Sequence, residues 1–240
     1  MKLSAPLTRR ERFRQITMDE IKTIARRQME EHGPAGISLN AIARAMEISG
    51  PALYRYFASR DDLITALILD ASNALAETLE SAASGNSSAQ LGDRLLAVLL
   101  AYRRWAVDHP FEFQLIFAHP FPGHGEPDDI TTAGAQKVLT PILQILAVCF
   151  EQGELQSLTG TLDLPDELQA TLKFTSRELP AAIPPEVIYT GLVSWYPIHG
   201  MIMLELFNHS TSLIHDPALF YRHEVLRLLE SMNLHLSKGK

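Results

Sequence analysis

Apolar residues along this chain recur at steps of three and four, the period of an α-helix, and no stretch alternates in the two-residue rhythm of a half-buried strand. From about Arg10 to Glu31, Phe13, Ile16, Ile21, Ile24, Ala25 and Met29 form one inner stripe. His32-Gly33-Pro34-Ala35-Gly36 then supplies glycine and proline stop signals. Leu39, Ile42, Ala43 and Met46 give a short second helix a single apolar face, with Ser38 placed to cap it. Glu47-Ile48-Ser49 breaks that run. A third short helix, at about 50–56, carries Pro51 in its first turn, where a missing N–H costs nothing. Leu53 and Phe57 point inward, Ile48 plugs the space between the short helices, and Ala52, Tyr54, Arg55 and Tyr56 are left largely outward.

A fourth helix is predicted from Ser59 to about Ala83, opened by Asp61 and Asp62 where the helix dipole favours negative charge. Further helices follow at Leu91 to Val107, Pro110 to Ala118, Thr131 to Gln152, Pro165 to Glu178, Glu186 to His209 and Asp216 to Leu236. Pro141 predicts a kink or late start in one of them, and Pro197 interrupts the apolar pattern of another. Proline- and glycine-rich stretches at 120–129, 153–163 and 179–185 read as loops. The fold class is therefore all-α. Residues 1–60 read as an N-terminal three-helix domain with a basic arm over 1–10, and residues 61–240 as a larger helical domain.

Charge sharpens this division. The chain of 240 residues carries a net −7. Residues 1–60 hold 11 Lys/Arg against 6 Asp/Glu, whereas the remainder holds 10 against 22. A basic head on an acidic body suits a protein with one end facing a polyanion. Two short helices joined by a tight turn, the second bearing tyrosine and arginine, have helix-turn-helix geometry suited to a major groove. Cys149 is the single cysteine and lies in an apolar run, which points to a buried structural thiol. The N-terminus lacks the apolar core of a signal peptide, and no unbroken apolar run reaches the ~18 residues of a membrane span. A cytoplasmic location without membrane partners is the expectation.

The string I-x-L-x-x-I-A-x-x-M-x-I-S-x-x-x-L-Y-R-Y-F-x-S-R-x-D-L over Ile37 to Leu63 resembles the DNA-binding domain of the TetR family of transcriptional regulators, with the likeness running from about Arg12 to Leu67. The run Asp108-His109-Pro110-Phe111-Glu112-Phe113-Gln114-Leu115-Ile116-Phe117 is similar to a stretch shared by many regulatory domains of that family. Trp195, His199 and Gly200, followed by Leu204-Glu205-Leu206, resemble the signature of a WHG-type C-terminal domain. The four-residue step from Trp195 to His199 sets both on one helix face, and Gly200 is expected to permit close helix approach.

The resemblance implies a function and its residues. Phosphate contacts are expected from Tyr54, Tyr56, Arg60, Ser38 and Arg44. Base reading is expected from Asn40, Ser49, Pro51 and Ala52, with Arg55 a further candidate. Asparagine can pair with adenine, and proline or alanine can meet a thymine methyl. Gly50 offers no side chain, which shifts weight to DNA shape and the basic arm. One short helix reads few base pairs, so a palindromic operator on double-stranded DNA and a homodimer are implied. The last two long helices are the expected interface, through Val187, Leu192, Ile198, Ile202, Leu206, Leu213, Phe220, Leu226 and Leu229.

Trp105, Phe113, Phe117, Phe150, Phe174, Trp195, Tyr196, His199 and Met201 are candidates to line a pocket for a small apolar effector. The resulting expectation is a ligand-responsive repressor without cofactor, and not an enzyme. Two alternatives stay open: a DNA-binding activator or architectural protein without a ligand, and a metal-dependent sensor or enzyme using the histidine-rich loops. Nine histidines occur, but none shows zinc-site spacing, His119 and His124 with Glu126 and Asp128 coming nearest. No Gly-x-Ser-x-Gly elbow and no glycine-rich phosphate loop is present.

Overall fold

The computed structural model describes residues 8–85, 90–117, 129–156, 164–179, 183–209 and 213–237. These form ten α-helices: α1 Arg9–His32, α2 Leu39–Ala45, α3 Gly50–Tyr54, α4 Arg60–Ser84, α5 Leu91–Asp108, α6 Pro110–Phe117, α7 Asp129–Glu151, α8 Asp166–Glu178, α9 Pro185–Leu206 and α10 Pro217–Ser231. A short 3-10 turn, Pro34–Gly36, follows α1. The chain divides into one compact unit of Met1–Ser72 with Phe111–Ala135 and another of Asn73–Pro110 with Gln136–Lys240. The all-α class is as the periodicity predicts.

The first unit holds the helix-turn-helix, and it extends past residue 60 because α4 is continuous. Leu63, Ile64, Leu67 and Ile68 on α4 join Ile21, Ala25 and Met29 of α1, Ile42 of α2, Leu53 of α3, Phe57 and Leu115 of α6 in one buried cluster. The last residues of the basic arm expected over 1–10, Arg9 and Arg10, belong to α1, while residues 1–7 lie outside the described residues. Thr8 and Glu11 form a reciprocal capping box at the start of α1, which satisfies two otherwise orphaned N–H groups and makes Arg9 and Arg10 helical. Phe13 and Ile16, predicted to face inward, are 58% and 62% exposed. The buried stripe begins only at Ile21, since the two short helices pack against the later turns of α1.

The second unit is built from the remainder of α4 and α7 with α5, α8, α9 and α10. Tyr102, Val98 and Leu95 of α5, Val187, Ile188, Ile198 and Ile202 of α9, and Tyr221, Val225 and Leu229 of α10 are buried in it. Pro141 and Pro197 both lie inside continuous helices, so α7 does not start late at Pro141, and α9 runs through Pro197 as one long helix. The close approach expected at Gly200 falls elsewhere. A Cβ at Gly200 would meet nothing within 4 Å, whereas one at Gly191 would lie 2.6 Å from Leu143 Cδ2.

The last helix stops at Ser231, short of the predicted Leu236. Asn233 adopts a left-handed backbone (φ 61°), and the Leu234 N–H returns to the Leu229 carbonyl to close the end. By length and composition α9 is apolar enough to cross a membrane, which counting unbroken runs had missed. Its buried face of Val187, Ile188, Gly191, Ser194, Ile198 and Ile202 makes it a core helix of this unit.

Candidate nucleic-acid interface

Two serines set the geometry. Ser38 caps α2, its Oγ accepting the Ala41 N–H at 3.3 Å, while its own N–H donates to Gln28 Oε1 at 2.8 Å. Ser49 caps α3 in the same way through the Ala52 N–H at 3.3 Å. Between them Glu47 takes the left-handed conformation (φ 55°), and the Glu47 and Ile48 N–H groups return to the Arg44 and Ala43 carbonyls. This Schellman closure turns the chain sharply and directs α3 away from the axis of α2. Leu53 and Phe57 anchor α3 in the core.

Outside that anchor, Asn40, Arg44, Ser49, Pro51, Tyr54 and Arg55 are exposed, and Ala52 is half-buried. Ser38 is also half-buried, with a hydroxyl proton still free to donate after capping. Tyr56, expected to be largely outward, packs its ring against the core cluster, with the Arg14 guanidinium 5.4 Å from the ring centroid. Arg14 also donates to the Arg55 carbonyl at 3.1 Å, tying the end of α3 to α1.

Arg60 has an anchoring geometry that sequence could not display. Its Nε donates to the Ile37 carbonyl at 3.0 Å and its Nη2 to the Ala35 carbonyl at 3.1 Å, so it fastens the start of α4 to the loop entering α2. A second brace joins α1 to α4, where Lys22 and Arg26 both reach the Asp70 carboxylate at 3.0 Å. The opposite charges 44 and 48 residues apart could have been counted from sequence, but nothing there pairs them.

This braced helix-turn-helix coincides with a family match. Residues 23–67 match the bacterial regulatory proteins of the tetR family, and residues 95–228 match the tetracyclin repressor-like C-terminal domain. The chain belongs to the TetR family. It is 30% identical over 203 residues to the HTH-type transcriptional regulator Rv1816 of Mycobacterium tuberculosis, covering 84% of this chain and 86% of the relative. A solved regulatory protein, SCO4313, is 36% identical, with a TM-score of 0.74 over 93% of this chain and all of that one. A tetR-family regulatory protein from Rhodococcus shares the fold at 12% identity, with a TM-score of 0.60 over 92% and 98% of the two chains. As a TetR regulator the protein binds DNA and is not an enzyme.

The TetR regulatory domain does not gather the nine pocket candidates. Phe113 and Phe117 pack against each other with tilted rings, 4.8 Å between centroids, but belong to the DNA-binding unit. Phe174 and Tyr196 are 64% and 62% exposed, Phe150 is exposed on α7, and Met201 lines an open groove between α9 and α10. Trp105 is buried beside His109. In the second unit Trp195 and His199 meet, their rings 4.6 Å apart on one face of α9 as their spacing predicts. His199 Nδ1 lies 2.8 Å from the buried Tyr102 hydroxyl. Burial holds the His199 imidazolium down to about 4, and burial raises Tyr102 above its ordinary range. The two groups therefore share this hydrogen bond as a neutral pair.

Next to this pair, Arg103 grips both carboxylate oxygens of Glu205 through its Nε and Nη2. Cys149 is buried, and burial pushes its thiol up to about 11, consistent with a structural role. No group of three or more histidine, cysteine or acidic side chains able to hold a metal occurs among the described residues, and His119, His124, Glu126 and Asp128 lie outside them.

Of the expected pairing residues, Val187, Ile198, Ile202 and Leu229 are consumed by the subunit core. Leu192, Leu206 and Leu226 are half-buried, while Leu213 (86%) and Phe220 remain exposed, joined by Tyr196, Leu204, Phe207 and Leu219.

Proposed function

We propose that this TetR regulator is a ligand-responsive repressor that binds a palindromic operator as a homodimer in the cytoplasm and is released by a small apolar effector. The observation that carries the reading is the outward face of α3 and the start of α2, where Asn40, Pro51, Tyr54 and Arg55 stand exposed on a core-anchored support. In this reading Tyr54 and Arg44, with Ser38, meet phosphates, while Asn40, Pro51 and Ala52 face base edges. Ser49 and Arg60 contribute chiefly by holding the helices, and Tyr56 by bracing α3 against α1. The exposed apolar residues of α9 and α10 support pairing through those helices, because a patch of that kind favours a partner surface.

The test is a gel shift against the DNA flanking its own gene at several salt concentrations. A palindrome protected by two subunits, with affinity falling steeply as salt rises, is the expected result. Tyr54→Phe and Arg44→Ala should weaken binding evenly across sequences. Asn40→Ala should change preference at one position in each half-site by about 1–3 kcal/mol. Failure to bind even random DNA at low salt overturns the reading.

A further inference from the structure

The second unit contains a small, partly open void between α5, α7, α9 and α10, walled by Leu99, Ile142, Leu146, Trp195, Ile198 and Met232 among others. Its lining is almost wholly apolar and includes no charged side chain. Gly191 and Ser194, one turn apart on α9, both line it, with Leu143 packed closely over Gly191. Ser194 is only 7% exposed, and its hydroxyl donates to the Met232 sulfur at 3.6 Å. A thioether is a weak acceptor, so a buried hydroxyl is held by a partner that a ligand oxygen would outcompete.

The open space is about 20 Å³, room for a water, whereas a dry cavity that takes benzene is about 150 Å³. The wall able to yield is Met232, whose unbranched chain sits at the end of α10 and has three rotatable bonds.

We propose that this void is the effector site in its collapsed form, and that it takes a compact, uncharged, mostly apolar molecule bearing one oxygen that accepts from Ser194. The assignment rests on the ligand-responsive reading above. Charged ligands are excluded because no wall residue would compensate a buried charge. The same walls give the site an output. Ile198 and Leu228 line the void on one side and, on the other, the open groove that also contains Pro197, Met201 and Phe220. Swelling between α9 and α10 therefore alters the face assigned to subunit pairing.

The test uses the full chain and three probes of one skeleton: benzyl alcohol, toluene and benzoate. Thermal midpoint and tryptophan fluorescence report binding, since Trp195 is a wall residue. Benzyl alcohol should raise the midpoint saturably and bind about 3- to 10-fold more tightly than toluene, the worth of one neutral hydrogen bond. Benzoate should have no effect. Ser194→Ala should erase the preference for benzyl alcohol over toluene, and Leu146→Phe should weaken both by filling the space.

The proposal is overturned if no probe moves the midpoint, if benzoate matches benzyl alcohol, or if Ser194→Ala keeps the preference. DNA binding by the ligand-free protein is measured on the same preparation. If DNA is bound and the probes do nothing, the site assignment falls alone; if DNA is ignored, the regulator reading falls whatever the probes do.

Discussion

Replacing Arg60 with alanine separates two roles that a basic residue at a DNA-facing end can play. In the folded unit its guanidinium donates to the carbonyls of Ile37 and Ala35. Hydrogen bonds involving a charged group contribute about 1.5–3 kcal/mol each, and partial exposure of Arg60 reduces that, so a loss of about 2 kcal/mol in total is expected. For a chain of this size that corresponds to a fall of about 4–8 °C in the unfolding midpoint. The loop entering α2 would lose its tether to α4, and DNA affinity would fall because α2 and α3 are no longer held in register.

Thermal unfolding and a salt titration of DNA binding, run in parallel, decide the matter. A brace predicts a lower midpoint and an unchanged slope of log affinity against log salt. A direct phosphate contact predicts a normal midpoint and a slope shallower by about one. Arg60→Lys sharpens the comparison, since lysine keeps the charge but lacks the planar fork that reaches two carbonyls. A stable Arg60→Ala variant with the shallower slope would refute the bracing role.

Three further outcomes follow from the same geometry. Glu47→Gly should be neutral to stabilising by up to about 1 kcal/mol in urea unfolding, because glycine removes the left-handed penalty, while Glu47→Val should destabilise by about 1–2 kcal/mol. His199 is held below its ordinary value by burial, so the unfolded chain takes up its proton first as pH falls. The contribution is fully present above about pH 6.5 and is lost progressively towards pH 4, and His199→Gln should flatten that part of the stability profile. Leu213→Asp combined with Phe220→Glu should shift the protein from dimer to monomer in sedimentation without lowering its helix content, since both side chains are exposed in the subunit. An unchanged sedimentation coefficient would move the pairing face elsewhere.

Sequence alone determined the local structure and the identity of the DNA-binding unit. Helical period, Ser38 as a cap, Pro51 in a first turn, and Leu53 and Phe57 as anchors are decided by neighbours within a few residues, so they can be read off the chain. The basic charge of the first 60 residues is likewise a property of composition. Tertiary structure decided everything that depends on which helices meet. Phe13 and Ile16 continue an apolar stripe, yet the short helices cover only the later turns of α1, leaving both exposed. Arg60 carries the same charge whether it meets a phosphate or a carbonyl, and only the position of the Ala35 and Ile37 carbonyls gives it its brace. The pocket candidates were scattered because aromatic residues are chosen by size and polarity, whereas a cavity is defined by the space that several helices leave between them. Gly191, Ser194 and Met232 are ordinary residues in sequence; they acquire a shared role only when α9 and the end of α10 close on the same void.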